Sequence, residues 1–126
     1  SSTSPNSGTS LLALNLNMTN KTEVITNDLG LREIKLKVNF ARAWASTRRS
    51  LILSGFKIID EDRNEGKFYL EYELRRSIFN QSPSLSSVQV LVSESKKGEC
   101  TISTNLGVDN IDISEDIISQ INQALT

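Results

Sequence analysis

The sequence contains no histidine, and this absence excludes several classes of function. Histidine is the usual general base of enzymes, a frequent zinc ligand and the side chain that most often titrates near neutral pH. Without histidine, a Ser-His catalytic triad cannot form from this chain. We therefore expect a protein without catalysis of this kind and without a histidine-based metal site.

Cysteine is nearly absent as well, because Cys100 is the single one in 126 residues. One cysteine excludes an intramolecular disulfide and any metal site that is built from several thiolates. Cys100 falls on the inward phase of its predicted strand, so we interpret it as a small buried hydrophobic side chain. A lone cysteine fits both cytoplasm and periplasm, and it does not identify the compartment.

The chain also lacks a strong net charge and a long apolar run. Lys and Arg total 14, Asp and Glu total 15, and the formal net charge is −1. A general nucleic-acid-binding protein carries a strongly basic field, so we expect no nucleic-acid partner. No apolar run approaches the roughly 20 residues that a transmembrane helix needs. If the protein has a membrane anchor, we expect that anchor upstream of Ser1.

The first part of the chain, residues 1–30, is predicted to be a flexible or partly ordered leader. Residues 1–10 are Ser, Thr, Pro, Asn and Gly, which have little apolar surface to bury, and they predict a tether. The segment from Leu11 to Met18, "LLALNLNM", alternates in hydrophobicity and is either an added edge strand or a segment that docks elsewhere. The following "TNKTEVITNDLG" is rich in turn-forming residues.

Residues 31–126 are predicted to form one α+β domain that opens with a strand and a helix. Asn39 suits the N-cap of a helix from Phe40 to Ser54, and Gly55 suits the left-handed position after it. The preceding strand directs three apolar residues inward: Ile34, Leu36 and Val38. The helix has one apolar stripe, formed by Phe40, Ala43, Trp44, Thr47 and Leu51.

Four further strands and a second helix follow. A turn at Asn64–Gly66 separates the first two of these strands, and Asp112 and Glu115 open the last helix at capping-box spacing. The apolar residues that alternate in the strands are Phe56 and Ile58; Phe68, Leu70, Tyr72 and Leu74; Val88, Val90 and Val92; Cys100, Ile102 and Thr104. The last helix has an apolar side formed by Ile113, Ile117, Ile118, Ile121 and Leu125. The predicted order is β-α-β-β-β-β-α, an α+β fold in which a curled antiparallel sheet packs against both helices.

Two groups of polar residues are candidates for chemistry or binding. Asp60, Glu61 and Asp62 would be metal ligands or acid-base groups in one interpretation, and a solvated acidic rim in the other. We favour the rim, because calcium loops need a denser and longer pattern of oxygen ligands. We therefore predict no catalytic, cofactor-binding or metal-binding residues in this chain.

The second group lies on the first helix, opposite Trp44. Its members are expected to face solvent: Arg42, Ala45, Arg49 and Leu53. Arginine is enriched at protein interfaces, and two arginines beside an exposed leucine suit a docking surface. We predict a protein-binding surface at Arg42, Arg49 and Leu53, and the alternative is an ordinary solvated face.

A connected pattern of aromatic, glycine and charged residues adds a family resemblance. The pattern resembles the helix-grip domain of BamC-type lipoproteins of the bacterial outer-membrane protein assembly machinery, over Leu31 to Leu125 in element order and Val38 to Tyr72 in residue detail. The residues that carry it are Phe40, Ala43, Trp44, Gly55, Phe56, Asp62, Arg63, Gly66, Phe68, Tyr69 and Tyr72.

This resemblance implies a non-enzymatic, lipid-anchored protein on the periplasmic side of the outer membrane. It implies protein partners, including components of outer-membrane assembly, and membrane contact only through a lipid anchor upstream of the chain. We therefore expect a non-catalytic protein-interaction module without cofactors. The alternative is a carrier of a small hydrophobic ligand, which would use the groove between the long helix and the sheet.

Overall fold

The computed structural model describes residues 22–73 and 85–125, and these residues form an antiparallel sheet of six strands with two α-helices. The strands are β1 (Thr22–Thr26), β2 (Arg32–Leu36), β3 (Lys57–Asp62), β4 (Lys67–Glu73), β5 (Leu85–Lys96) and β6 (Glu99–Thr104). The helices are α1 (Phe40–Leu53) and α2 (Ile111–Leu125), and a 3-10 turn at Val108–Asn110 precedes α2. The sheet order is β1-β2-β6-β5-β4-β3, with β1 and β3 at the edges.

Both helices pack on the same face of this sheet, as the predicted α+β fold requires. The strand register places Ile34 beside Ile102 and Phe68 beside Val90, so these buried side chains share one face. The buried helix residues that join them in one core are Ala43, Trp44, Leu51, Ile117, Ile118 and Ile121. The predicted fold class and the predicted element order from β2 to α2 are therefore confirmed.

The caps of α1 are those that its sequence predicts. The side-chain Oδ1 of Asn39 accepts a hydrogen bond from the backbone N–H of Arg42 at 2.9 Å, which satisfies one of the free donors of the first turn. After the helix, Gly55 has a φ of 86°, and the N–H of Phe56 donates to the carbonyl of Leu51 at 3.0 Å. This left-handed ending turns the chain back towards the sheet, and β3 follows directly.

Strand β1 was not predicted, because its sequence is surrounded by turn-forming residues. It pairs antiparallel with β2 through a tight turn in which Asn27 Oδ1 accepts from the N–H groups of Leu29 and Leu31. Its central residue, Val24, faces the helix side and is still 40% exposed, so burial contributes little. The strand forms because it pairs with β2.

Three predictions fall outside the described residues. The tether and the segment Leu11–Met18 lie within residues 1–21, and Leu74 was predicted to point inward.

The start of α2 corrects one prediction. The helix begins at Ile111, directly after the 3-10 turn, so Asp112 lies inside the first turn and is not an N-cap. The capping box with Glu115 is therefore wrong, and the Glu115 carboxylate lies 3.6 Å from Arg32 Nε instead. Asp112 still places a negative charge at the positive end of the helix. The apolar side of α2 is otherwise as predicted.

A buried hydroxyl of α1 leads to a first prediction on stability. Ser50 is 2% exposed, and its Oγ makes no hydrogen bond within the part of the chain that the structure describes. A buried donor without a partner costs free energy, and alanine is the better helix former. Ser50→Ala is expected to raise the free energy of unfolding by about 1 kcal/mol in urea denaturation.

A neighbouring serine provides the matched control for that measurement. Ser46 lies on the same helix and is only half-buried, so Ser46→Ala changes helix propensity without removing a fully buried hydroxyl. We expect Ser50→Ala to stabilise the protein more than Ser46→Ala. If Ser50→Ala destabilises it, the hydroxyl has a partner that contributes to stability.

Candidate functional site

Helix α1 separates its residues into a buried side and a solvent-facing side, and the candidate docking surface lies on the second. Arg42, Ala45, Arg49 and Leu53 are all exposed, as predicted. At about 100° per residue these positions recur on one face, away from Trp44. Leu53 is 62% exposed, so this face includes a large apolar side chain. We call Arg42, Arg49 and Leu53 the outward face of α1.

The charges on this helix are all of one sign. The sequence of α1 contains three arginines and no acidic residue. Arg48, on the flank towards β3, donates from Nε to both carboxylate oxygens of Glu61, at 3.0 and 3.2 Å. Arg49 makes no ion pair with any residue that the structure describes. Its charge is therefore available to a carboxylate from outside the domain.

The outward face ends at a groove that the sequence did not reveal. An open depression of about 320 Å³ lies between the end of α1 and the last turns of α2. Its walls are Leu53, Ser54, Gln120, Gln123 and Ala124. The Oγ of Ser54 donates to the backbone carbonyl of Gln120 at 3.2 Å and ties the two helices together at this point. No pattern in the sequence signals that these two distant segments meet.

The space between α1 and the sheet is occupied by aromatic side chains. Trp44 stacks on Phe68 with ring centroids 3.9 Å apart, and Phe40 stacks on Trp44 at 5.9 Å. Trp44 is 7% exposed, so it is a core residue, as predicted. These rings fill the position where a carrier protein would hold an apolar ligand.

The acidic residues of β3 make local structural contacts. Glu61 faces α1 and pairs with Arg48, whereas the Oδ1 of Asp60 accepts from the backbone N–H of Glu61 at 2.8 Å. Asp62 Oδ1 accepts from the N–H of Glu65 at 3.1 Å and caps the following turn. Within residues 22–73 and 85–125, no group of three or more Asp, Glu or Cys side chains could hold a metal ion.

Cys100 is fully buried on the helix-facing side of β6, in agreement with its interpretation as a small core residue. Burial raises the pKa of its thiol, and the nearby carboxylates of Glu94 and Glu99 raise it further. The thiolate is the nucleophilic form of cysteine, so this environment disfavours the reactive form. The packing of Cys100 therefore does not resemble that of a catalytic thiol.

Neither of the helices in the described ranges combines the length and the apolar character that crossing a bilayer requires. No protein-family model matches the sequence, and the search of curated proteins found no match either.

Proposed function

We propose that this chain is a non-catalytic protein-interaction module that binds a protein partner through the outward face of α1. The observation that carries the proposal is the combination of exposure and charge at Arg42, Arg49 and Leu53. Arginine is enriched among the residues that contribute most of the binding energy at protein interfaces, and an exposed leucine adds apolar surface that a partner can bury. A helix whose exposed charges are all positive also selects against basic partners.

The biological setting in this proposal comes from the family resemblance. A BamC-type helix-grip domain acts on the periplasmic side of the outer membrane, as an accessory to outer-membrane protein assembly. The partner would then be an assembly component, and contact with the membrane would depend on a lipid anchor upstream of the chain. The two helices packed on one face of an antiparallel sheet are consistent with this architecture.

The carrier function is less well supported by the packing. A carrier needs an apolar cavity between α1 and the sheet, whereas Trp44 and Phe68 are in stacking contact there. An apolar ligand would have to displace these rings and lose their packing energy. The docking function requires no such rearrangement.

The proposal is tested with a triple variant of the outward face. Arg42→Glu, Arg49→Glu and Leu53→Ser together should abolish partner capture in a pull-down from a bacterial envelope extract. A partner surface matched to arginine would meet like charge, which costs several kcal/mol, and it would lose the leucine contact. The fold should be retained, because all three side chains point away from the core.

A second triple variant is the matched control. Lys37→Glu, Lys97→Glu and Leu29→Ser change the same charges and remove one exposed leucine, at positions outside α1. The control variant should still capture the partner, and its Tm should be similar to that of the wild type. Equal capture by wild type and by the outward-face variant would contradict the proposal, and equal loss in both variants would show a nonspecific effect of charge.

A further inference from the structure

The two edges of the sheet differ in how well they are protected against a further strand. The β3 edge is interrupted by a bulge between Ile58 and Asp60, and it carries three consecutive carboxylates from Asp60 to Asp62. Bulges and charged side chains are features by which proteins protect an exposed sheet edge. The five residues of β1 instead pair with β2 in unbroken register, and Glu23 is the single charge among them. The β1 edge is therefore the one that can accept another strand.

The helix side of β1 leaves apolar surface uncovered. Val24 lies opposite Ile34, whose side chain is in the core, yet Val24 itself is 40% exposed. In the described ranges β1 is the last strand on this side of the sheet, and α2 contacts it. A strand added outside β1 would place every second side chain on the helix side, where Val24 lies. Apolar residues at those alternate positions would bury themselves and Val24 together.

The segment Leu11–Met18 has this alternating pattern, and it lies close to β1 in the chain. Three residues separate Met18 from Thr22, the first residue of β1, so their Cα atoms are at most about 14 Å apart. A three-residue connection is a common length for a hairpin, and Asn20 at its centre tolerates the left-handed conformation of turns. The segment is therefore held next to the open edge by the covalent chain itself.

An antiparallel hairpin with this connection places the leucines on the helix side. Leu16 is then opposite Val24 and Leu14 is opposite Thr26, and residues directly opposite each other share a face of the sheet. The asparagines between the leucines, Asn15 and Asn17, fall on the open face of the sheet. A shift by one residue in either direction would exchange these two sets and expose the leucines. The sequence of the segment thus matches this register and neither of the two adjacent ones.

We propose that the segment Leu11–Met18 adds a strand to the sheet by pairing antiparallel with the outer edge of β1, with Leu16 against Val24. The added strand makes β1 an inner strand and covers its exposed apolar side chain. It also occupies the edge that a strand of another protein would otherwise pair with. This inference goes beyond the docking function proposed for α1, because it concerns a different surface and a different segment.

NMR spectroscopy of the full chain tests the pairing. We expect nuclear Overhauser contacts between Leu16 and Val24 and between Leu14 and Thr26. In a sample that mixes isotope-labelled and unlabelled chains, these contacts should arise within one chain. The amides of β1 that do not bond to β2 should be protected from hydrogen exchange, because the added strand accepts their hydrogen bonds.

Paired variants separate the apolar contacts from the presence of the segment. Leu14→Ser combined with Leu16→Ser should release the strand, and the outward amides of β1 should then exchange at least about tenfold faster, since two buried leucines are lost. Asn15→Ser combined with Asn17→Ser introduces the same two serines on the open face and should preserve the slow exchange. The amides of β5 and β6 should exchange equally in both variants, which confirms that the domain stays folded.

Three results would overturn the inference. The first is rapid exchange of the outward amides of β1 in the wild type, which would show an unoccupied edge. The second is an equal effect of the leucine and asparagine variants, which would exclude burial of the leucines on the helix side. The third is a contact between Leu16 and Val24 that arises only between labelled and unlabelled chains. That result would show that a second copy of the chain supplies the strand.

Discussion

Replacing Trp44 with alanine is expected to lower the free energy of unfolding by about 3–5 kcal/mol, the range for large aromatic residues in protein cores. The indole stacks on Phe68 at 3.9 Å and on Phe40 at 5.9 Å, and almost none of it reaches solvent. Its removal leaves a cavity at the centre of the contact between α1 and the sheet. For a domain of this size, Tm should fall by at least about 12 °C in a thermal melt followed by circular dichroism.

Leu53→Ala is the control for this experiment, because it truncates a large apolar residue on the exposed side of the same helix. Its effect should stay within about 0.5 kcal/mol, as for other surface substitutions. A Trp44→Ala variant as stable as Leu53→Ala would show that the indole does not hold the core together. The space beside it would then be open to a ligand, and the carrier function would become the better proposal.

Gly66→Ala is expected to be the second severe substitution, with a loss of about 2–5 kcal/mol. Gly66 has a φ of 70°, which strains any residue with a Cβ, and an added Cβ would clash with the backbone carbonyl of Val92. The approach is close because the carbonyl of Gly66 accepts from the N–H of Val92 at 2.7 Å, which joins the β3–β4 turn to β5. Backbone cannot move aside as a flexible side chain can, so the clash adds to the strain.

Gly98→Ala separates the two contributions. Gly98 has a φ of 79°, but an added Cβ would meet nothing within 4 Å. This variant should therefore lose only the conformational part, about 1–2 kcal/mol. Urea denaturation of both variants gives the difference directly. If the two losses are equal, the contact with Val92 contributes nothing, and the turn relaxes more easily than its geometry indicates.

The local features of α1 were determined by the sequence itself. A side-chain cap at Asn39, a glycine at Gly55 and an apolar repeat of helical period act over a few residues, so neighbours along the chain decide them. The same repeat also predicts which residues of the helix face solvent. The exposure of Arg42, Arg49 and Leu53 could therefore be predicted without a structure.

Other features depended on segments that are distant in the sequence. Strand β1 forms because β2 offers it a hydrogen-bonding edge, although its own residues bury little surface. The 3-10 turn before α2 sets where the helix begins. Asp112 therefore lies inside the first turn, and its capping-box spacing to Glu115 does not produce a cap. In both places the preference of the local sequence is weak, and the neighbouring element of secondary structure outweighs it.

The candidate site shows the same division between local and tertiary information. Helical periodicity alone predicted the outward face of α1, because the exposure of residues on one helix follows from the helix geometry. The groove at the end of this face depends on the packing of α1 against α2, which brings Ser54 Oγ within 3.2 Å of the Gln120 carbonyl. Those two residues lie 66 positions apart, and no short-range pattern encodes their contact. Burial of the isoleucines of α2 against the sheet sets the position of that helix, and the groove follows from it.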